Sequence, residues 1–457
     1  MNRLSFLDLA FFITESTQSP KHVAGLSQFK KPARSGTGWV RKLFEEIIQC
    51  DDVKPPFNQV INFKSLGGPS WKKYANFNIK DHVFYHQPEK SLNQAALYEL
   101  VSGLHVPLLD RSKPLWEYHI IDNLQDNSFA IYGKIHHAYA DGVTISRWMM
   151  QTMGTSPQDK SLNVFWERDG TGRKSQKDKA AAQDMFKRML DMNKQWLKAV
   201  GGISKLVTQL ALESAGLTTN AVAIPFKARE DTPLVGAVSA TRQFASANLS
   251  MDRISVLRKT TRCTLNHIAL TCIDAALHRY LADFDIYLDR PLSIQMPVNL
   301  RDKNEKSSGN KIGLVAVDLA PQTDDPYTRL REIGFTLRAV RNQIDGVPGV
   351  AVAQFTAVLA VVLELLDMLK LSRYLPAVSD TLISNVPGPP ETLYMKGARL
   401  KNTLPMSTLA PGTQLNITLY SYAGNLSVGL IATRKVEGLQ KLARYIEEAF
   451  DDLEASV

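Results

Sequence analysis

Hydrophobic positions along the chain switch repeatedly between a spacing of two and a spacing near 3.6, the pattern of strands interleaved with helices. Leu4-Ser5-Phe6-Leu7-Asp8-Leu9-Ala10-Phe11-Phe12 is predicted as a short helix opening at Ser5. Helical spacing returns over residues 40–48, and Pro55-Pro56 breaks the chain before a strand at 59–63. Residues 92–104 read as a helix. A strand then begins at Pro114-Leu115-Trp116, because a proline's missing N–H costs least at a strand's start. Residues 124–128 turn the chain into a second strand over 129–136, and helical spacing resumes over 143–153. An antiparallel pair followed by a helix is expected here.

From about residue 158 the composition turns polar, and residues 168–179 read as an exposed linker. Beyond it, Met185, Phe186, Met189, Leu190, Trp196 and Leu197 line one face of a basic amphipathic helix over 180–199, suited to docking on the protein or on a lipid surface. The second half opens with a strand at 241–249. Ser250 is placed to cap one helix, and Thr264-Leu265-Asn266-His267 opens another that runs to about 283. Strands are predicted at 292–298 and 311–319, an amphipathic helix at 325–344, and a helix apolar nearly all round at 350–370. A strand at 380–384 runs into Asn385-Val386-Pro387-Gly388-Pro389-Pro390, read as a rigid turn. A hairpin over 414–433 and a helix at 438–453 close the chain. The result is a mixed α/β fold in three parts: an N-terminal domain over 1–160, a helical linker over 161–239 and a C-terminal domain over 240–457.

Composition narrows this picture. At 457 residues with 44% apolar side chains the chain can bury sizeable cores. Cys50, Cys263 and Cys272 are few, odd in number and without zinc or redox spacing, so they are expected to be small buried residues in a reducing compartment. A net charge of +9 favours anionic partners such as phosphates or acidic lipid headgroups. No basic stretch is interleaved with aromatics, which sets nucleic acid aside. Residues 1–14 carry Asp8 inside their apolar run and lack a small-residue cleavage site, making a poor signal peptide. Residues 346–363 lack charge but are interrupted by Pro348 and Gly349, and so read as a buried helix rather than a membrane span. A cytoplasmic protein is expected.

The chemistry concentrates in Lys134-Ile135-His136-His137-Ala138-Tyr139-Ala140-Asp141-Gly142, where strand gives way to loop. Neighbouring side chains on an extended backbone point to opposite faces, so the two histidines do not share one site. His137 is read as the general base and His136 as structural. A curled loop can bring Asp141 back beneath a ring or onto an arginine, and Gly142 is expected to allow a turn with positive φ and leave room for substrate. A lone buried histidine is usually packing, but His-His-x-x-x-Asp-Gly arises by chance in only about one in a thousand chains of this length. Adjacent histidines lack the His-x-x-x-His spacing of a metal-dependent hydrolase, so no metal ligands are assigned.

His136-His137-Ala138-Tyr139-Ala140-Asp141-Gly142 resembles the HHxxxDG signature of the bacterial wax ester synthase/diacylglycerol acyltransferases. Pro114-Leu115-Trp116 resembles that family's PLW element, and the opening Leu4-Ser5 to Asp8 is similar to its N-terminal pattern. Met296-Pro297-Val298-Asn299-Leu300-Arg301 and Ser384-Asn385-Val386-Pro387-Gly388-Pro389 are similar to motifs in its second half. The likeness spans nearly the whole chain. It departs at His267, where the family usually has aspartate after the asparagine. The resemblance implies two chloramphenicol-acetyltransferase-like domains facing each other across a tunnel. It also implies acyl transfer from acyl-CoA, as substrate rather than cofactor, to a long-chain fatty alcohol or a diacylglycerol, at an inner-membrane or lipid-inclusion surface.

The residues fit that chemistry. No serine or cysteine is placed as a nucleophile beside His137, so direct attack by the alcohol is expected, with Asn266 as a donor to the oxyanion. Ala357 and Ala360, small residues on the all-apolar helix, could line a groove for methylenes worth about 0.8 kcal/mol each when buried. Pro387 and Gly388 would shape a loop near it, with Pro114, Trp116, Arg301 and Asn385 as structural neighbours. Two rivals use the same residues: a condensation-type amide-forming enzyme, and a lipid-binding coat protein without activity.

Overall fold

Two six-stranded sheets and one small hairpin organise the computed structural model, which describes residues 4, 6–64, 68–140, 142–168, 228, 232–299, 312–345, 359, 363 and 377–457. The first half contains α1 (Phe6–Thr14), β1 (His22–Lys30), α2 (Trp39–Ile47), β2 (Gln59–Asn62), β3 (Ser70–Lys73), β4 (Val83–His86), α3 (Gln94–His105), β5 (Trp116–Leu124), β6 (Ser128–His136) and α4 (Gly142–Met150). The second half contains β7 (Gln243–Ser250), α5 (Met251–Thr261), α6 (Leu265–Ala282), β8 (Ser293–Asn299), β9 (Ile312–Asp318), α7 (Pro326–Asp345), β10 (Thr381–Pro387), β11 (Tyr394–Met395), β12 (Ala398–Met406), β13 (Leu415–Tyr422), β14 (Asn425–Ala432) and α8 (Leu439–Ala455). The first sheet has the order β11-β12-β1-β6-β5-β4, the second β7-β14-β13-β10-β8-β9, and β2 pairs with β3 alone.

Most elements lie where hydrophobic spacing puts them. Ser250 accepts the Arg253 N–H and Thr264 accepts the His267 N–H, capping α5 and α6 as their positions suggest. Ala423 and Gly424 take positive φ, as a two-residue turn between β13 and β14 requires. β1 is absent from the expectations above, for a physical reason. It is one of the two central strands of its sheet and is buried on both faces, so no apolar–polar alternation marks it. The same double burial shapes β6: Phe129, Ile131 and Ile135 pack with Val40, Leu43 and Ile47 of α2, while Ala130 and Tyr132 meet Leu97, Tyr98 and Val101 of α3.

The second half departs from the sequence-based outline in two ways. β10 does not stop at Ser384 but runs on through Asn385 and Val386 to Pro387. Along that extension it pairs only with β13, since its pairing with β8 ends at Leu382. A strand paired on one side has room for a residue without an N–H. More consequentially, β11 and β12 leave the C-terminal segment and join the first sheet, β12 lying against β1. The division at residue 240 is therefore crossed by these strands.

One face of the second sheet is apolar and covered by α6 and α8, through side chains such as Ile273, Leu277, Leu442 and Ile446. The opposite face carries Ser384, Asn416, Thr418 and Ser427, satisfied among themselves and by Thr408 and Asn248. The first half packs near it, and Tyr98 of α3 bonds Ser246 of β7 across the boundary at 2.8 Å. Gly429 permits the closest approach there, because a side chain would strike Leu404 of β12. Of the cysteines, Cys272 is buried, whereas Cys50 and Cys263 are only half-buried, contrary to expectation; all three are free thiols. No helix among the described residues is long and apolar enough to cross a membrane. The helices expected over 180–199 and, apart from residues 359 and 363, over 350–370 lie outside the described residues.

Trp116 anchors the start of β5. It is fully buried, stacks between His82 at 4.6 Å and Trp166 at 4.9 Å, and donates its indole N–H to the Phe57 carbonyl at 2.8 Å. Trp116→Ala removes this packing and strands a buried carbonyl. A loss of about 3–5 kcal/mol is expected in a denaturant titration; an unchanged midpoint would show that the cluster is not what holds β5.

Candidate active site

The loop that follows β6 is pinned by backbone groups from three directions. The His136 N–H donates to the Leu115 carbonyl at 3.0 Å, and the His137 N–H donates to the Lys21 carbonyl at 2.8 Å. The Tyr139 hydroxyl accepts the Leu115 N–H at 2.9 Å and donates to the Gln59 carbonyl at 2.6 Å. Leu115, the middle residue of Pro-Leu-Trp, thus grips both ends of the turn. Pro114 and Trp116 hold that grip in place by being buried on either side of it.

The two histidines part company, as an extended backbone dictates. His136 has no exposed surface and stacks on Phe12, ring centroids 4.3 Å apart. Its Nδ1 accepts the Ala138 N–H at 3.1 Å, which puts the ring proton on Nε2. That nitrogen lies 3.5 Å from Glu15 Oε1, an electrostatic contact rather than a tight hydrogen bond. His137 is half-buried and stacks instead on Phe11, at 4.5 Å. Consecutive phenylalanines from the end of α1 therefore each cover one histidine.

Glu15 was not foreseen, yet it organises this corner. Its side chain is 1% exposed, and burial alone would raise its pKa. His136, the Lys21 N–H and Arg111 together outweigh that penalty and hold the carboxyl at about 2 instead of the usual 4.5. The Lys21 N–H reaches Oε1 at 3.2 Å, and Arg111 donates twice to Oε2, at 3.2 and 3.0 Å. Arg111 also donates to the Phe12 carbonyl at 2.7 Å, so one guanidinium fastens both the carboxylate and the helix end that stacks on His136.

Across from the loop stand the ends of α6 and β10. Asn385 donates its side-chain N–H to Asn266 Oδ1 at 2.8 Å, which turns the Asn266 amide so that its NH2 is the outward donor. α4, which starts at Gly142, lies against β10, and its Ser146 donates to the Tyr420 hydroxyl of β13 at 3.2 Å. Gly388 seats on the same tyrosine, since any side chain there would strike the Tyr420 ring and the Ser421 carbonyl. The histidine loop and the asparagine pair are thus carried by different sheets and coupled through α4.

The comparisons with known proteins agree with this arrangement. The model of the wax ester synthase/diacylglycerol acyltransferase catalytic domain matches residues 4–269, and that of the WS/DGAT C-terminal domain matches residues 308–454. A putative diacylglycerol O-acyltransferase of Mycobacterium tuberculosis is 32% identical over 99% of this chain and 100% of its own. The chain belongs to the wax ester synthase/diacylglycerol acyltransferase family. Among solved structures, a wax ester synthase/diacylglycerol acyltransferase from Marinobacter aquaeolei VT8 superposes with a TM-score of 0.77 at 25% identity, covering 100% of this chain and 99% of that one. The first condensation domain of the calcium-dependent antibiotic synthetase shares the fold alone, with a TM-score of 0.59 at 12% identity over 100% of this chain and 96% of that one. The protein is accordingly an acyltransferase.

For this acyltransferase, His136, His137, Gly142, Asn266, Asn385, Pro387, Gly388, Pro114 and Trp116 are all placed by the elements just described. Asp141, Arg301, Ala357 and Ala360 lie outside the described residues. Gly142 corrects one expectation: it does not take positive φ but opens α4, and only the open space beside it accords with a role in leaving room. Glu15 and Tyr139 are the residues that sequence reasoning missed. A carboxylate directly after an apolar helix was the available signal for Glu15.

Glu15 carries a pH signature. Because its folded pKa lies below the ordinary value, the stability it contributes is complete above about pH 5 and is lost as pH falls toward about 2, amounting to about 3 kcal/mol. Denaturant titrations across that window should show wild type losing stability faster than Glu15→Gln, with the two converging at the acid end. Parallel curves would mean that the carboxylate is not held by these donors.

Proposed function

We propose that this protein transfers a fatty acyl group from acyl-CoA directly to a long-chain fatty alcohol and, less well, to diacylglycerol, with His137 as general base. The observation that carries the reading is the division between the two rings. His136 is fully buried, accepts the Ala138 N–H and lies beside Glu15, while His137 is half-buried and stacks on Phe11. Its imidazole takes the proton of the incoming hydroxyl as the oxygen attacks the thioester carbon. The tetrahedral oxyanion is met by the NH2 of Asn266, whose orientation Asn385 supports. Collapse expels the CoA thiolate, which takes the proton back from the imidazolium. No covalent acyl-enzyme enters this scheme.

The two halves would enclose the lipid chains in a water-poor passage between them, where each buried methylene adds about 0.8 kcal/mol. We read the acceptor as arriving from a membrane or lipid-inclusion surface. Ile13 at 56% and Phe63 at 54% are exposed beside the covered end of α1, and the chain carries a net charge of +9.

The test is a thiol-release assay with palmitoyl-CoA against hexadecanol, dioleoylglycerol and hexadecylamine. Alcohol acceptance above amine acceptance supports the ester reading, and the reverse favours a condensation-type enzyme. His137→Ala should lower kcat by about 10²–10⁴ with the fold intact by circular dichroism. Retained turnover would remove the ring from the mechanism. Asn266→Ala should lower kcat by about 10²–10³ with KM little changed, as expected for a donor that engages the oxyanion; a pure KM effect would assign Asn266 to binding instead.

A further inference from the structure

α7 displays an unusual outer face. Tyr327, Arg331, Phe335 and Arg338 follow one another at spacings of four, four and three, and so form a single stripe about 16 Å long. Both aromatics are strongly exposed, Tyr327 at 41% and Phe335 at 51%. Arg331 and Arg338 are exposed too, and neither has a carboxylate partner among the described residues. The Arg338 guanidinium sits over the Phe335 ring, 4.9 Å from its centroid. Aromatic faces alternating with unpaired guanidinium groups suit a planar heterocycle that carries phosphates.

The stripe ends beside His267, the neighbour of Asn266 on α6. Gly334 lies on the buried edge of α7 that turns toward α6, and a side chain at that point would be in ordinary contact with its neighbours. Around that point His267 Nδ1 stands at 3.6 Å and the Arg338 guanidinium nitrogens at 3.7 and 3.8 Å. His267 is 8% exposed, and its Nδ1 is buried without a hydrogen-bond partner among the described residues, an uncompensated polar atom beside Gly334 and Arg338. Burial, aided by the Arg338 charge, lowers the pKa of this ring, so it sits there neutral and able to donate through that nitrogen. The next residue back along α6 is Asn266. An aspartate at 267, which the family pattern leads one to expect, would set a carboxylate against Arg338; the histidine leaves the guanidinium without a counter-charge among the described residues.

We propose that Tyr327, Arg331, Phe335 and Arg338, with His267 beside them, hold the phosphorylated adenine nucleotide of the acyl-CoA donor. This rests on the acyl-CoA reading of the site. The adenine lies on the aromatic faces, the phosphates meet the two arginines and His267, and the thioester arm leads past α6 toward Asn266.

The experiment compares palmitoyl-CoA with palmitoyl-pantetheine, which lacks the nucleotide, in the full-length protein. The variants are Arg331→Ala/Arg338→Ala, Phe335→Ala and His267→Asp. A charged hydrogen bond contributes about 1.5–3 kcal/mol, so the double variant should raise KM for palmitoyl-CoA at least about tenfold. Its kcat, and its KM for palmitoyl-pantetheine, should stay near wild type. His267→Asp should raise KM for the CoA donor in the same selective way. Equal losses with both donors, or no loss with either, would overturn the assignment. Calorimetric titration with free CoA separates this from the activity reading. If wild type shows no turnover yet binds CoA, and the double variant binds it at least about tenfold more weakly, the acyl-transfer reading falls and the nucleotide site stands. If CoA does not bind, or binds the variant equally well, the site falls.

Discussion

A single buried carboxylate governs the geometry of this acyltransferase's histidine loop. Taking Glu15 out of water is costly, and the cost is met because groups from three separate segments converge on it: Arg111 and the Lys21 N–H as donors and the His136 ring as an electrostatic contact. Each donor is thereby tied to a fixed place. Lys21 immediately precedes β1, and its carbonyl receives the His137 N–H. Arg111 draws in the end of α1, which stacks a phenylalanine on each histidine. The loop is held because a charge that cannot be left unpaired lies beneath it, and that is how a short turn at the end of a central strand keeps its two imidazoles in fixed places.

The second constraint is that the two halves are not independent bodies. β12 belongs by sequence to the second half and by pairing to the first, so the first sheet is incomplete without it. Facing it, the second sheet presents hydroxyls and amides that satisfy one another in pairs, beside an apolar cluster in which Phe244 and Ile431 meet Leu404 and Met406. A boundary satisfied in this way is directional, since hydrogen bonds set register as well as separation. The asparagine pair on one half is therefore held at a defined position relative to the histidine loop on the other.

How much of this was legible beforehand divides along physical lines. Segments whose two faces differ in polarity, such as α5, α8 and the β13–β14 hairpin with its apolar and hydroxyl-bearing faces, announce themselves by periodicity and caps. β1 and β12 do not, because a strand covered on both faces, or one interrupted by Lys401, Asn402 and Pro405, has lost its alternation. The histidine loop could be read because seven residues in a row carry it. The Asn266–Asn385 contact joins positions 119 residues apart, and Glu15 acts on a ring 121 residues away; such pairings are properties of topology, invisible to local spacing.

The same device operates twice in the site. On β6, an alternating backbone sends His136 inward to Glu15 and leaves His137 half-buried. On α6, a rotation of about 100° per residue sends Asn266 toward Asn385 and His267 toward α7. In each pair one member holds partners that the adjacent one does not share. Backbone geometry of this kind lets two neighbouring polar residues act in different places without competing for the same partner. The surroundings of Asn266 and His267 are separated by the turn of the helix, so a change in charge beside α7 need not disturb the amide that faces β10.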